Sequence, residues 1–139
     1  MNPVINDVFK ANRRCYKVDR GHPCANFCFD VLREIDPSKY TAIAEQIRGL
    51  EWGQSNSQRS LGHRSKMFGK YIRLFGFRAV TIPQNYDLCF MAEASGTSIY
   101  HCGLCYGGDV VHCSRQLKQV VKESFADFIK PYESYKLWR

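Results

Sequence analysis

The chain has 139 residues, 45% hydrophobic and 14% aromatic, and a net charge of +7 from 20 Lys and Arg against 13 Asp and Glu. That length suits a single domain, residues 1–139, with one core. No apolar run reaches the ~18 residues of a membrane span, which excludes membrane insertion by a helix, and the positive balance favours anionic partners such as nucleic acid, a cell envelope or an acidic subunit.

The opening MNPVINDVFKANRR contains no signal-peptide apolar segment, so synthesis in the cytoplasm without a leader is expected. Within it, Val4, Ile5, Val8 and Phe9 are spaced for a short helix over 2–10. A basic, irregular stretch follows and ends at Gly21-His22-Pro23. Pro23 suits the first position of a helix running to about Ile35, where Phe27, Cys28, Val31, Leu32 and Ile35 form a core-facing stripe. Cys24 stands on the same face at the first turn. Asp36 and Pro37 then cap and open a second helix, with Tyr40, Ile43, Ala44 and Ile47 on one side and Gly49 as its stop.

Residues 52–65, WGQSNSQRSLGHRS, are polar and basic without apolar period and read as a loop, with His63 as a surface residue. Helical spacing returns over 66–75 and ends at Gly76. Strands are expected at 77–82, 88–92 and 117–121, a short helix at 123–129 and a last strand at 135–138. Helices first and antiparallel strands after predict an α+β fold with the helices packed on a sheet.

The stretch most dense in chemistry is Ile99 to Ser114, IYHCGLCYGGDVVHCS. Gly107-Gly108 between two β-prone runs predicts a two-residue hairpin. Placing Tyr106 opposite Asp109 puts Leu104 opposite Val111, Gly103 opposite His112, Cys102 opposite Cys113 and His101 opposite Ser114. Alternation then gathers His101, Gly103, Cys105, Val110, His112 and Ser114 on one face. The two histidines become diagonal neighbours, about 7–8 Å apart at the backbone, with Gly103 leaving room between them.

Three chemistries compete for these residues. In the first, Cys24 is a nucleophile, its thiolate favoured by the positive end of a helix, with His101 as base and His112 as the group that orients it. The second is a zinc site drawn from Cys102, Cys105, His112 and Cys113, which strand alternation opposes because it points Cys102 and Cys105 to opposite faces. The third, nucleic-acid binding through Arg59, His63, Arg64, Lys66 and Tyr71, rests on charge alone, so no nucleic-acid partner is assigned. The odd set of seven cysteines predicts mostly reduced, buried thiols, with Cys102 and Cys113 the pair placed to oxidise.

The segments HPCANFCFDVLREI, YDLCFM, HCGLCYGGDVVHCS and YKLWR, in that order, resemble the NlpC-type papain-like cysteine peptidases of the cell wall. That family's pattern is D-C-S-G-L/F at a helix start, G-D-L-V-x-F on a strand, and H-V-G-I-Y-x-G-x-G-x-x-I-H-A over a hairpin, before a terminal aromatic-arginine strand. The resemblance spans Cys24 to Arg139 and implies a papain-like fold and hydrolysis of amide bonds in peptidoglycan stem peptides without a cofactor. It places Cys24 on the nucleophile, His101 on the base, His112 on the third polar residue and Tyr16 on a substrate-binding tyrosine. Pro23, Ala25 and Tyr86 depart from the family's aspartate, serine and glycine. The short single-domain form is similar to those of bacteriophage tails, which implies a virion-associated, tail-tip or tail-assembly component with other tail proteins as partners. An injected antibacterial amidase, or a tail module that keeps the fold without the chemistry, are the alternatives.

Overall fold

The computed structural model describes residues 23–49, 70, 72–92, 100–114, 117, 119–131 and 134–139. The expected helix at 2–10, Tyr16, the 52–65 loop and His63 lie outside them.

Helix α1 (Pro23–Ile35) starts at its proline, and α2 (Pro37–Gly49) follows after one residue. Asp36 makes the corner, its carboxylate accepting the Lys39 N–H at 3.2 Å and the Ser38 hydroxyl at 2.9 Å. Helix α1 packs against α2 on one side and against the sheet on another. Its burial is therefore wider than one stripe: Ala25 and Phe29 are covered as fully as Phe27, Cys28, Val31 and Leu32. Ile35, expected in that stripe, is instead 37% exposed, because it is the last helical residue and lies beyond the covered turns. On α2, Ile43 and Ala44 are buried and Tyr40 packs at the margin, its ring 5.8 Å from that of Phe77.

Six strands follow: β1 (Ala79–Val80), β2 (Leu88–Ala92), β3 (Tyr100–Tyr106), β4 (Asp109–Ser114), β5 (Gln119–Ser124) and β6 (Ser134–Trp138). A five-residue helix, α3 (Phe125–Ile129), separates the last two. The sheet order is β1-β6-β2-β3-β4-β5, antiparallel at each register given. Alternation divides its side chains between two layers. Leu88, Phe90, Cys102, Leu104, Val111, Cys113, Val120 and Trp138 meet α1 and α2. Cys89, Cys105, Val110 and Leu137 meet Phe128 of α3 on the opposite face. The fold class is mixed α+β, helices against an antiparallel sheet.

Three expected elements change their bounds. The strand foreseen at 77–82 shrinks to Ala79–Val80, since its pairing partner is only the end of β6, extended by mutual 2.9 Å bonds between the Arg78 and Arg139 backbones. Strand β5 runs to Ser124 rather than stopping at Val121, because β4 offers it a partner for every residue from Asp109 to Ser114. The following helix accordingly starts at Phe125, with Ser124 as its cap accepting the Asp127 N–H at 3.2 Å. Glu123 thereby moves from a helix to a strand.

One buried charge ties the end of β6 to the start of its neighbour β2. Asp87 is 1% exposed, and its carboxylate receives Nε and Nη2 of Arg139 at 2.9 and 2.8 Å and the Gln84 N–H at 2.7 Å. Tyr86, just before it, has φ of +70°, a left-handed conformation that glycine adopts without strain. It is the position where the family pattern has glycine.

Candidate active site

Gly107 and Gly108, with φ of +59° and +84°, form the primed turn that matches strand twist, and the Gly107 N–H is held by Asn85 Oδ1 at 2.8 Å. The resulting register pairs Tyr106 with Asp109, Cys105 with Val110 and Leu104 with Val111. His101 and His112 consequently emerge in the α3 layer. Nε2 of His101 lies 2.8 Å from Nδ1 of His112, and the rings meet edge to face at 4.9 Å between centroids. Both are buried, at 4% and 6% exposure.

Gly103 makes this meeting possible. A Cβ there would stand 2.5 Å from Cγ1 of Val110 and 3.0 Å from both Cβ of His112 and Cζ of Phe128. Phe128 covers the pair from α3, its ring centroid 5.7 Å from that of His101 and 4.6 Å from that of His112. Beyond His112, Nε2 reaches Glu123 Oε2 at 2.5 Å. Glu123 is 43% exposed, so the chain His101–His112–Glu123 runs from the interior to solvent. Burial pushes the His112 pKa below its ordinary 6.5, while the bond to Glu123 and its charge act in the opposite sense. Nδ1 of His101 is buried and has no hydrogen-bond partner among the described residues.

Cys24, at the first turn of α1, is 1% exposed and sits in the helix-side layer. Its thiol interacts with that of Cys102, the residue next to His101 on β3, whose side chain points to the opposite face of the sheet from His101. It makes no bond to Nδ1 of His101. Cys28, one turn deeper, has its sulfur 3.9 Å from that of Cys102. Cys102 thus has a thiol on either side: the Cys24 bond works to lower its pKa, but the Cys28 bond and burial prevail and raise it well above the ordinary 9.0. Burial also raises Cys28 and Cys89, and pushes Cys105 up to about 12 with help from the Asp87 charge.

The structure therefore brings His101 and His112 together in the α3 layer but leaves Cys24 on the other face of the sheet, against Cys102, so the foreseen nucleophile and base are not in contact. Two participants were missed from sequence, Glu123 and Phe128. The signal for both was Ser124-Phe125-Ala126-Asp127, a Ser-x-x-Asp helix start that ends β5 at Ser124, leaving Glu123 on the strand, and puts Phe128 on the first turn of α3. The four donors of the zinc alternative divide between the two layers, Cys102 and Cys113 toward the helices and Cys105 and His112 toward α3. No group of three or more metal-binding side chains exists among the described residues. Of the described cysteines, Cys24, Cys28, Cys89, Cys102 and Cys105 are buried thiols, as expected of most of the set; Cys113 is disulfide-bonded, but not to Cys102, the partner it was placed to oxidise with.

No protein-family model matches the chain, and no curated protein matches it.

Proposed function

We propose that this chain is a cysteine peptidase or amidase with the papain-like form of the α+β fold, hydrolysing amide bonds in peptidoglycan stem peptides. The observation that carries the reading is the state of His101. Its Nε2 is engaged by His112 while Nδ1 has no bond; Cys102, the next residue on the strand, is the one Cys24 contacts on the opposite face of β3. An imidazole held at one nitrogen and available at the other is what thiol catalysis needs of its base.

In this mechanism the start of α1 shifts so that the Cys24 thiol leaves Cys102 and the helix-side layer, reaches Nδ1 of His101 on the other face of β3, and gives up its proton there. The thiolate attacks the peptide carbonyl, and backbone N–H groups at the start of α1 hold the oxyanion. Protonated His101 releases the amine. Water, deprotonated by His101, then frees the acyl group and restores the thiol. His112 keeps the ring of His101 in place throughout. Tyr16 is proposed to contact substrate, and the setting proposed is a bacteriophage tail, among other tail proteins. An injected antibacterial amidase would use the same chemistry. The net charge of +7 suits approach to an anionic wall.

The test is digestion of purified peptidoglycan by the wild-type chain and by Cys24→Ala, with released fragments weighed by mass spectrometry. Stem-peptide fragments from the wild type alone support the reading and identify the bond cut. No release by either rejects it.

A second reading, a tail module without chemistry, is favoured by the closure around Cys24, 1% exposed and bonded to Cys102. Thiol labelling separates the two. A nucleophile makes Cys24 the fastest-reacting cysteine at neutral pH, whereas a structural module leaves it as slow as the buried Cys28, Cys89 and Cys105.

A further inference from the structure

The His101–His112 pair does not end at His112. A neutral imidazole has one donor and one acceptor nitrogen, and which is which is decided by its partners. A carboxylate oxygen can only accept, so Glu123 requires Nε2 of His112 to carry a proton. Burial keeps that ring neutral, with its cost falling on the charged form. Nδ1 of a neutral His112 protonated at Nε2 is then an acceptor, and Nε2 of His101 must donate to it. The remaining nitrogen of His101, Nδ1, is left as a bare lone pair. It is the atom that is buried without a partner. The opposite arrangement would leave an N–H there instead, and a buried N–H without an acceptor is the rarer and costlier orphan.

We propose that Glu123 is a positioning residue that fixes, through His112, the tautomer in which Nδ1 of His101 is the basic nitrogen. The assignment of protons rests on the hydrogen-bond geometry together with the burial that keeps His112 neutral, whereas its value for catalysis rests on the function proposed above. Glu123 touches no reacting atom. Its part is to hold the proton pattern of the two rings and to stabilise the positive charge that forms when His101 accepts a proton. Its exposure leaves it able to act without being buried as an unpaired charge.

The surroundings supply no rival. Among the described residues, the other titratable side chains on the elements packed in this layer are the Cys89 and Cys105 thiols of β2 and β3, Tyr135 of β6, and Asp127 and Lys130 of α3 and its cap. Among the described residues, Glu123 is the one whose side chain is bonded to either imidazole from outside the pair. Lys122, beside it in sequence, pairs with Asp109.

The experiment is nitrogen-15 NMR of the histidine rings in the full chain, across pH, for the wild type, Glu123→Gln and Glu123→Ala. In the wild type, Nδ1 of His101 and Nδ1 of His112 read as unprotonated nitrogens. Glu123→Gln keeps an acceptor oxygen and preserves that pattern, but the titration of the pair moves to lower pH because the negative charge is gone. Glu123→Ala loses the pattern, with His112 populating both tautomers. Wild-type rings protonated at Nδ1 of His101, or an Ala variant with tautomers and titration unchanged, overturn the proposal. These readouts need no activity, so they stand apart from failure of the peptidase reading. Where peptidoglycan is cleaved, Glu123→Ala lowers kcat/KM on the order of tenfold, the factor that loss of about 1.4 kcal/mol from one charge-assisted hydrogen bond produces. Glu123→Gln recovers part of that loss, with a pH profile displaced to lower pH. An Ala variant as active as the wild type, with an unmoved profile, removes the catalytic part of the proposal.

Discussion

Gly103 is the residue on which the imidazole pair depends. A methyl group there meets Val110 backed by β4, and meets His112 and Phe128 at 3.0 Å. Gly103→Ala should cost about 1–3 kcal/mol, the usual range for overpacking a close-packed site. The measurement is urea unfolding, and proton NMR should show the His112 and Phe128 rings displaced. His112 gives a prediction about pH. Burial depresses its folded pKa, so between that value and the ordinary 6.5 the unfolded chain binds more protons than the folded one. Its contribution to stability is therefore whole above pH 6.5 and is lost progressively as pH falls through 6.5 toward the folded value. Melting temperatures across pH 5 to 8 should show that decline in the wild type, on the order of one proton's worth, and a flatter curve in His112→Gln.

Among the elements, α3 is the smallest and covers the site. Five residues are too few for a helix to persist alone, so its cap and its packing must hold it. Ser124→Ala removes the hydroxyl that accepts the Asp127 N–H and should cost about 1 kcal/mol. Its more telling effect is on Phe128: hydrogen exchange at α3 amides should quicken while exchange in β3 and β4 stays slow. The hairpin was legible in sequence because its cause is local. Two adjacent glycines dictate the turn, and the turn dictates that Leu104 faces Val111. Helices α1 and α2 were legible for the same reason, through Pro23, Asp36 and Pro37. The length of β5 was not, because Lys122, Glu123 and Ser124 look like a helix start until β4 pairs with them. Glu123 was therefore overlooked as a member of the site.

At the scale of the molecule, the sequence reading anticipated helices against an antiparallel sheet but not the order of its strands. Nothing local in SYKLW announces that it belongs between β1 and β2. The clue lies in a long-range charge: Asp87, buried beside β2, needs a cation, and Arg139 after β6 supplies it. Arg139→Met leaves the carboxylate with the Gln84 N–H and no cation. The expected result is a lower urea midpoint in chemical denaturation, with Arg139→Lys intermediate because an ammonium cannot reproduce the two-point bond. The Cys24 environment was legible only in part for a similar reason. Its place on the first turn of α1 follows from Pro23, while its bond to Cys102 depends on how α1 settles on β3.

The position of β6 also bears on the order in which the chain can assemble. Its neighbours β1 and β2 are both made some fifty residues earlier, since Ala79 and Leu88 pair with Trp138. During synthesis the β2–β3–β4–β5 ladder can close as it emerges, but β2 keeps one open edge until Ser134 to Trp138 leave the ribosome. For that interval Leu88 to Ala92 offer unpaired backbone to any passing strand. The latest of the six described strands is thus the one that covers the open edge of β2.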